Sequence, residues 1–381
     1  ISGNSCSGGA YDTSHSCAVT GLSEGSNSVH LACRDRAGNR DSDSSNTDLS
    51  YLVDTGLPVL SGWNPADGAT VTTTTPAVSF TASENAWCRW SLSDQGYDDI
   101  GGNDCSGNGT TSLSCTFSSG LVEGSNDLYF SCRDAAGNKA VSSDNESISL
   151  VVDTALPVLS GWDPAAESTI ATNSTTIEFI SDEPASCRWN LSDIGYDDIS
   201  GNGCGTETNS HSCAVSGLVE GTDTVYFSCA DTAGNENTSA NNYGIDYNID
   251  TLPPVQSAWS PATSSVYATT SLSVSFNTDE NAWCRWSFSN LGYSDIGAND
   301  CSGQGGSSQS CAVTDLSEGT NTVYLACRDA AGNADSASTN TVLSYEVDVS
   351  LPALSGWSPA AGATVTVNSI SVSFVADENA W

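Results

Sequence analysis

Methionine is missing from all 381 residues, and lysine occurs once, at Lys139. Nine Lys and Arg stand against 46 Asp and Glu, a formal net charge of −37. So little positive charge argues against a nucleic-acid partner, whose phosphates require a basic face. It argues equally against docking on an anionic membrane surface. No apolar run approaches the ~18–20 residues of a membrane span, so this segment is not expected to insert into a bilayer. There is no signal-peptide pattern either, and the sequence is expected to be an interior piece of a longer precursor. A sustained 3.6-residue apolar period is absent, which removes amphipathic helices as the main building element. The three histidines, His15, His30 and His211, show no metal-ligand spacing and are expected on the surface.

Cysteine, by contrast, is abundant. Fifteen cysteines in an acidic, Ser/Thr/Gly-rich chain point to an oxidising, extracellular setting. No Cys-x-x-Cys spacing occurs, so structural zinc is not their expected role. They recur at 88, 105, 115, 132, then 187, 204, 213, 229, then 284, 301, 311, 327, while the first copy holds only Cys6, Cys17 and Cys33. Trp63, Trp162, Trp259 and Trp357 keep the same beat, at intervals of 99, 97 and 98 residues. A period near 98 is the size of one β-sandwich domain and far longer than a solenoid repeat. The organisation read from it is a partial repeat at 1–54, full repeats at 55–153, 154–250 and 251–348, and a partial repeat at 349–381. Ile1 and Trp381 align inside neighbouring copies, so the expected partner of Cys33 falls outside the sequence. Two readings stay open: a window on a longer repetitive polypeptide, or strand donation between the end of one chain and the start of the next.

Within one copy the strands are legible. Pro76–Ala82 alternates with period two, and Trp87–Leu92 puts Cys88, Trp90 and Leu92 on one face. Asp127–Cys132 puts Leu128, Phe130 and Cys132 on one face, and Ser147–Val152 closes the sheet. The fold expected is all-β: tandem immunoglobulin-like sandwiches, disulfide-stapled, in an extended rod well over ~100 Å long. If Cys88 and Cys132 lie opposite on antiparallel strands, Trp87 faces Arg133. The last full copy repeats the pair as Trp283 and Arg328, whereas the middle copy has Ser186 and Ala230, both partners lost together. That joint loss supports a cation–π pair and the first-to-fourth cysteine register. Core bridges are therefore expected at Cys88–Cys132, Cys187–Cys229 and Cys284–Cys327. The mid-domain loops would be stapled by Cys6–Cys17, Cys105–Cys115, Cys204–Cys213 and Cys301–Cys311.

The run Leu121-x-Glu-Gly, Tyr129-Phe-x-Cys-x-Asp-x-Ala-Gly-Asn138 and Val152-Asp-Thr-x-Leu-Pro157 resembles bacterial and archaeal immunoglobulin-like repeats, themselves akin to fibronectin type III modules. The likeness covers essentially the whole chain. It implies a large secreted surface adhesin, stalk or fibre, with calcium stiffening the joints. Hard oxygen ligands near the linkers suit that ion: Asp54, Asp153, Asp250 and Asp348 at the linkers, and Asp134, Asp231 and Asp329 before the Ala-Gly-Asn turn. Glycan acceptors of the Asn-x-Ser/Thr type occur at Asn108, Asn145, Asn173, Asn190 and Asn237.

Catalysis is not expected. Gly21-Leu-Ser-Glu-Gly25 matches a nucleophile-elbow string, but the equivalent positions of the next two copies hold Val122 and Val219, where no nucleophile exists, and no helix follows. The expected function is a structural component of an extracellular fibre, filament or stalk, with self-association head to tail or laterally. The rival is an adhesin whose loops bind a carbohydrate or protein receptor. The loops are alike and Gly/Ser-rich, which favours the scaffold.

Overall fold

The computed structural model describes residues 5–8, 12–118 and 120–378; Ile1 and Trp381 lie outside them. The chain forms two compact units, Ile1–Leu156 with Asp231–Asn235, and Pro157–Ala230 with Glu236–Trp381. Regular structure among the described residues is β throughout, apart from three single 3-10 turns. Among the described residues no helix is long and apolar enough to cross a membrane. The strands of the first unit are β1 (Gly25–Leu31), β2 (Thr47–Val53), β3 (Leu60–Asn64), β4 (Thr70–Val71), β5 (Ala77–Ser91), β6 (Thr110–Thr116), β7 (Gly124–Asp134) and β8 (Glu146–Val152).

One long strand organises each copy. The first half of β5 pairs antiparallel with β3 (Leu60 opposite Ala82) and β6 (Phe80 opposite Leu113). Its second half pairs with β7, Cys88 opposite Cys132 and Trp90 opposite Phe130. The register breaks between Thr81 and Ala86. There the strand leaves one sheet for the other, as a bulge bends a strand without ending it. β8 follows β7 antiparallel, and β4 adds parallel to β8. The result is two facing sheets sharing β5. Alternate residues Val78, Phe80, Leu113, Leu128, Phe130 and Leu150 fill the space between them and are buried. Each such side chain contributes ~1.5–3 kcal/mol by leaving water. Trp63 closes the end of this core, its ring 4.6 Å from Phe80 and 4.8 Å from Phe130.

The same plan repeats. Next come β9 (Leu159–Asp163), β10 (Thr169–Ile170), β11 (Ser174–Asn190), β12 (Gly203–Ser216), β13 (Gly221–Asp231) and β14 (Tyr243–Ile249). After them run β15 (Gln256–Ser260), β16 (Val266–Tyr267), β17 (Leu272–Ser287), β18 (Gly306–Val313), β19 (Gly319–Arg328) and β20 (Thr341–Val347). β21 (Leu354–Ser358) and β22 (Ser373–Ala376) form a last hairpin. β17 again serves two sheets, pairing with β15 and β18 and then with β19. Seven disulfides join Cys6–Cys17, Cys88–Cys132, Cys105–Cys115, Cys187–Cys229, Cys204–Cys213, Cys284–Cys327 and Cys301–Cys311. Cys33 is exposed and carries a free thiol.

Three details differ from the sequence reading. Pro76–Ala82 and Trp87–Leu92 are parts of one strand, because the polar Ser83-Glu84-Asn85 step is a bulge and not a turn. Leu92 is exposed, since the strand ends at Ser91. The expected mid-domain loop contains strand β6, whose Leu113 and Cys115 point inward, and Phe117 just beyond it is buried with them.

Candidate metal centre

The turn after β7 builds the site. Asp134 ends the strand, and Gly137, at φ 103°, lets the chain double back. Asp134 Oδ1 accepts the backbone N–H groups of Gly137 (2.7 Å) and Asn138 (2.9 Å), while Oδ2 accepts Asn138 Nδ2 at 2.6 Å. Asn138 Nδ2 also donates to the Asp54 carbonyl at 3.0 Å, tying the turn to the linker. The second unit repeats this with Asp329, Gly332 and Asn333. There Asn333 Nδ2 donates to both the carbonyl (2.7 Å) and the carboxylate (3.0 Å) of Asp250.

A third carboxylate converges on each place. Asp54, Glu84 and Asp134 each offer an oxygen within 4.8 Å of the others, as do Asp250, Glu280 and Asp329. Sequence reasoning named the aspartates and missed the glutamates. Their signal was the period: Glu84, Glu183, Glu280 and Glu378 recur at 99, 97 and 98 residues. Burial and then its carboxylate neighbours push the Glu280 carboxyl up to about 7, through Asp250, Asp329, Asp279 and Glu220. Glu84 is raised for the same reasons, burial first and then Asp54, Asp134 and Glu24. Burial also raises Asp250, with Asp329 next. Asp134 goes the other way: burial opposes ionisation, but the hydrogen bonds from Asn138, Gly137 and Ala136 together hold it below the usual range.

All the converging donors are oxygens, the donor set a hard divalent cation such as calcium takes. The residues therefore fit such an ion. Among the remaining aspartates, Asp153 is raised by burial and then by Asp231, while Asn235 Nδ2 donates to the Asp153 carbonyl at 3.0 Å. Asp348 is hydrogen-bonded to Glu378.

The Leu-x-Glu-Gly motif has a role that its sequence did not announce. Glu24 accepts the Thr55 hydroxyl at 2.6 Å, and Glu123, Glu220 and Glu318 hold Thr154 (2.8 Å), Thr251 (2.7 Å) and Ser350 (3.1 Å) in the same way. Each also accepts a backbone N–H of its linker.

Arg133 lies 4.7 Å over the Trp87 ring, and Arg328 lies 5.8 Å over Trp283. Tyr97, missed in the sequence, extends the stack, with Arg89 at 4.5 Å on its face. Two expectations are corrected. His211 is not on the surface but 1% exposed, because its place in β12 faces inward against Phe179, with Nε2 2.9 Å from Ser181 Oγ. Burial lowers its pKa. Asn237 is 2% exposed, and its Nδ2 donates to the Asn241 carbonyl, so no glycan fits there in the folded copy. Asn145 Nδ2 is likewise engaged, by Asp94 and Gln95. Asn108 and Asn190 are half-buried, each accepting a backbone N–H, and Asn173 is exposed.

Fold and site together define a tandem array of immunoglobulin-like β-sandwiches with carboxylate clusters beside the linkers. No family model matches the chain, and no curated protein matches it. Among solved structures it is similar to the I-band fragment I67–I69 of titin, at 10% identity over 77% of this chain and 99% of that one, with a TM-score of 0.35. It is also similar to the Escherichia coli adhesin FdeC, at 14% identity over 77% and 98%, TM-score 0.30. A third likeness is to the fibronectin(III)-like modules of Clostridium thermocellum CbhA, at 12% identity over 50% and 94%, TM-score 0.25.

Proposed function

We propose that this chain is a stretch of an extracellular fibre or surface stalk, non-catalytic, whose linkers are stiffened by calcium held between Asp54, Glu84 and Asp134 and between Asp250, Glu280 and Asp329. One observation carries the reading: carboxylates converge beside the linker at the same positions of different copies, and burial together with their mutual repulsion drives Glu280 up to about 7. Such a cluster is destabilising until a proton or a cation neutralises it. A divalent ion does so at neutral pH and couples linker order to ion binding. The glutamate latch on each linker hydroxyl supports the same role, since a fixed linker transmits orientation from one copy to the next.

The test compares the full chain in millimolar calcium and in chelator, by calorimetry and by electron microscopy of single particles. Calcium is expected to raise the thermal midpoint and to straighten beaded threads, and Glu84→Ala with Glu280→Ala to abolish both effects. An unchanged midpoint at millimolar calcium removes the ion, and compact particles in both conditions remove the fibre.

A further inference from the structure

Phe80, Phe179 and Phe276 hold the same place in three copies, but the residue paired with each across the sheet differs. It is Leu113 in 55–153, His211 in 154–250 and Gln309 in 251–348. All three are buried. Leu113 needs no polar partner, and Gln309 donates its amide to the carbonyls of Ala282, Gly303 and Gly306. His211 is only half provided for. Ser181 Oγ gives its hydrogen to the Glu183 carbonyl at 2.6 Å, so at 2.9 Å it accepts from His211 Nε2. The neutral ring therefore carries its proton on Nε2. Nδ1 is buried and has no hydrogen-bond partner. Gly205 lies beside it, where an added Cβ would stand 3.4 Å from Nδ1.

A second proton on this ring is poorly accommodated. The Nδ1–H it creates finds no acceptor, and a buried charge without a partner is costly. From β11 the ring meets Phe179, stacked at 4.9 Å, the Ser181 hydroxyl, and Cys187 Sγ at 3.7 Å, which is bonded to Cys229 of β13. The charged residues of the neighbouring strands are engaged or directed elsewhere. Glu178 and Asp182 on β11, Glu207 on β12 and Asp163 on β9 are exposed. Arg188 donates to the Tyr196 and Ile199 carbonyls, and Glu183 gives Ser181 its backbone carbonyl. On β13, Asp223 accepts the Val219 N–H and Asp231 accepts those of Gly234 and Asn235. Burial lowers the His211 pKa from the ordinary 6.5, and no charged group acts on it.

We propose that His211 is a pH switch that makes the copy 154–250 the acid-sensitive link of the array, parting β12 from β11 when the ring takes up a second proton. β12 lies at the end of its sheet and, among the described strands, pairs with β11. It can leave that edge while the Cys187–Cys229 bridge keeps β11 on β13. The folded copy binds the proton more weakly than the opened one. The contribution of the neutral ring is therefore full above 6.5 and is lost as the pH falls below it. Copies carrying Leu113 or Gln309 lack the switch. It rests on these core contacts and is independent of the calcium reading.

The experiment is hydrogen exchange of the full chain read by mass spectrometry, wild type against His211→Leu and His211→Gln, the residues that the other copies carry. Dividing by each variant cancels the intrinsic pH dependence of exchange. In β12 peptides the ratio should be flat above pH 6.5 and rise below it, by about tenfold per pH unit at most. In β6 and β18 peptides it should stay flat throughout. The His211 ring, followed by NMR in the folded chain, should titrate below 6.5. A β12 ratio that is constant from pH 8 down to pH 4 against both variants overturns the proposal. So does a folded-state His211 that titrates at 6.5 or above.

Discussion

Glu280 shows how a single side chain can be at odds with its own fold. Its carboxyl rises from 4.5 to about 7, first through burial and then through the surrounding carboxylates. Between those values the native chain binds more protons than the unfolded one. The contribution is therefore present below about 4.5 and is lost as the pH rises through 7. Glu280→Gln should then stabilise the copy at pH 8 in chelator by on the order of 1–2 kcal/mol, after allowance for solvent screening, and change little at pH 4. Calorimetry at the two pH values checks this, and an equal midpoint for variant and wild type at pH 8 would show the repulsion to be relieved in another way. Asp134 has the opposite sign: its depressed value adds stability above the usual carboxylate range, lost as the pH falls through it. Neither direction was legible in the sequence, because Asp and Glu are everywhere in this chain and only convergence in space separates these from the rest.

At the scale of the element, the pairing of β5 with β7 carries most information. Trp87 opposes Arg133 and the guanidinium sits over the indole, in the register that the joint loss at Ser186 and Ala230 suggests. A double-mutant cycle of Trp87→Ala and Arg133→Ala in the copy 55–153 should return a coupling of ~0.5–1 kcal/mol in denaturant unfolding. Strictly additive losses would mean that the stack is geometry without energy. Two features of the elements escaped the sequence reading for physical reasons. Ser83-Glu84-Asn85 has the composition of a turn, yet a strand passing between sheets needs its polar residues at the bulge. β6 and β18 are flanked by Gly and Ser, which read as loop, and their alternation is only a few residues long. His211 was misplaced because a lone histidine gives no sign of which face of a strand it occupies until that strand is recognised.

For the molecule as a whole, the disulfides set how each copy fails. A domain of this size has ~5–15 kcal/mol of net stability, and a bridge closing a loop of 44 residues supplies ~2–4 of it. Replacing Cys88 and Cys132 together by Ala and Val should lower the transition of the copy 55–153 by roughly 10 °C or more, leaving the others in place. Calorimetry of the full chain resolves this, and a trace that does not move would mean that the sheets hold without the bridge. The sequence alone determined the all-β class, the ninety-eight-residue period and the inward residues of the main strands. These follow from local alternation and from repetition, both of which survive in one dimension. Only the tertiary structure decided that Glu84 and Glu280 join the linker aspartates, that a glutamate grips each linker, and that His211 meets Ser181 in the core. Those contacts link residues tens of positions apart, and what draws like charges or a histidine and a hydroxyl together is the closing of two sheets over a shared strand.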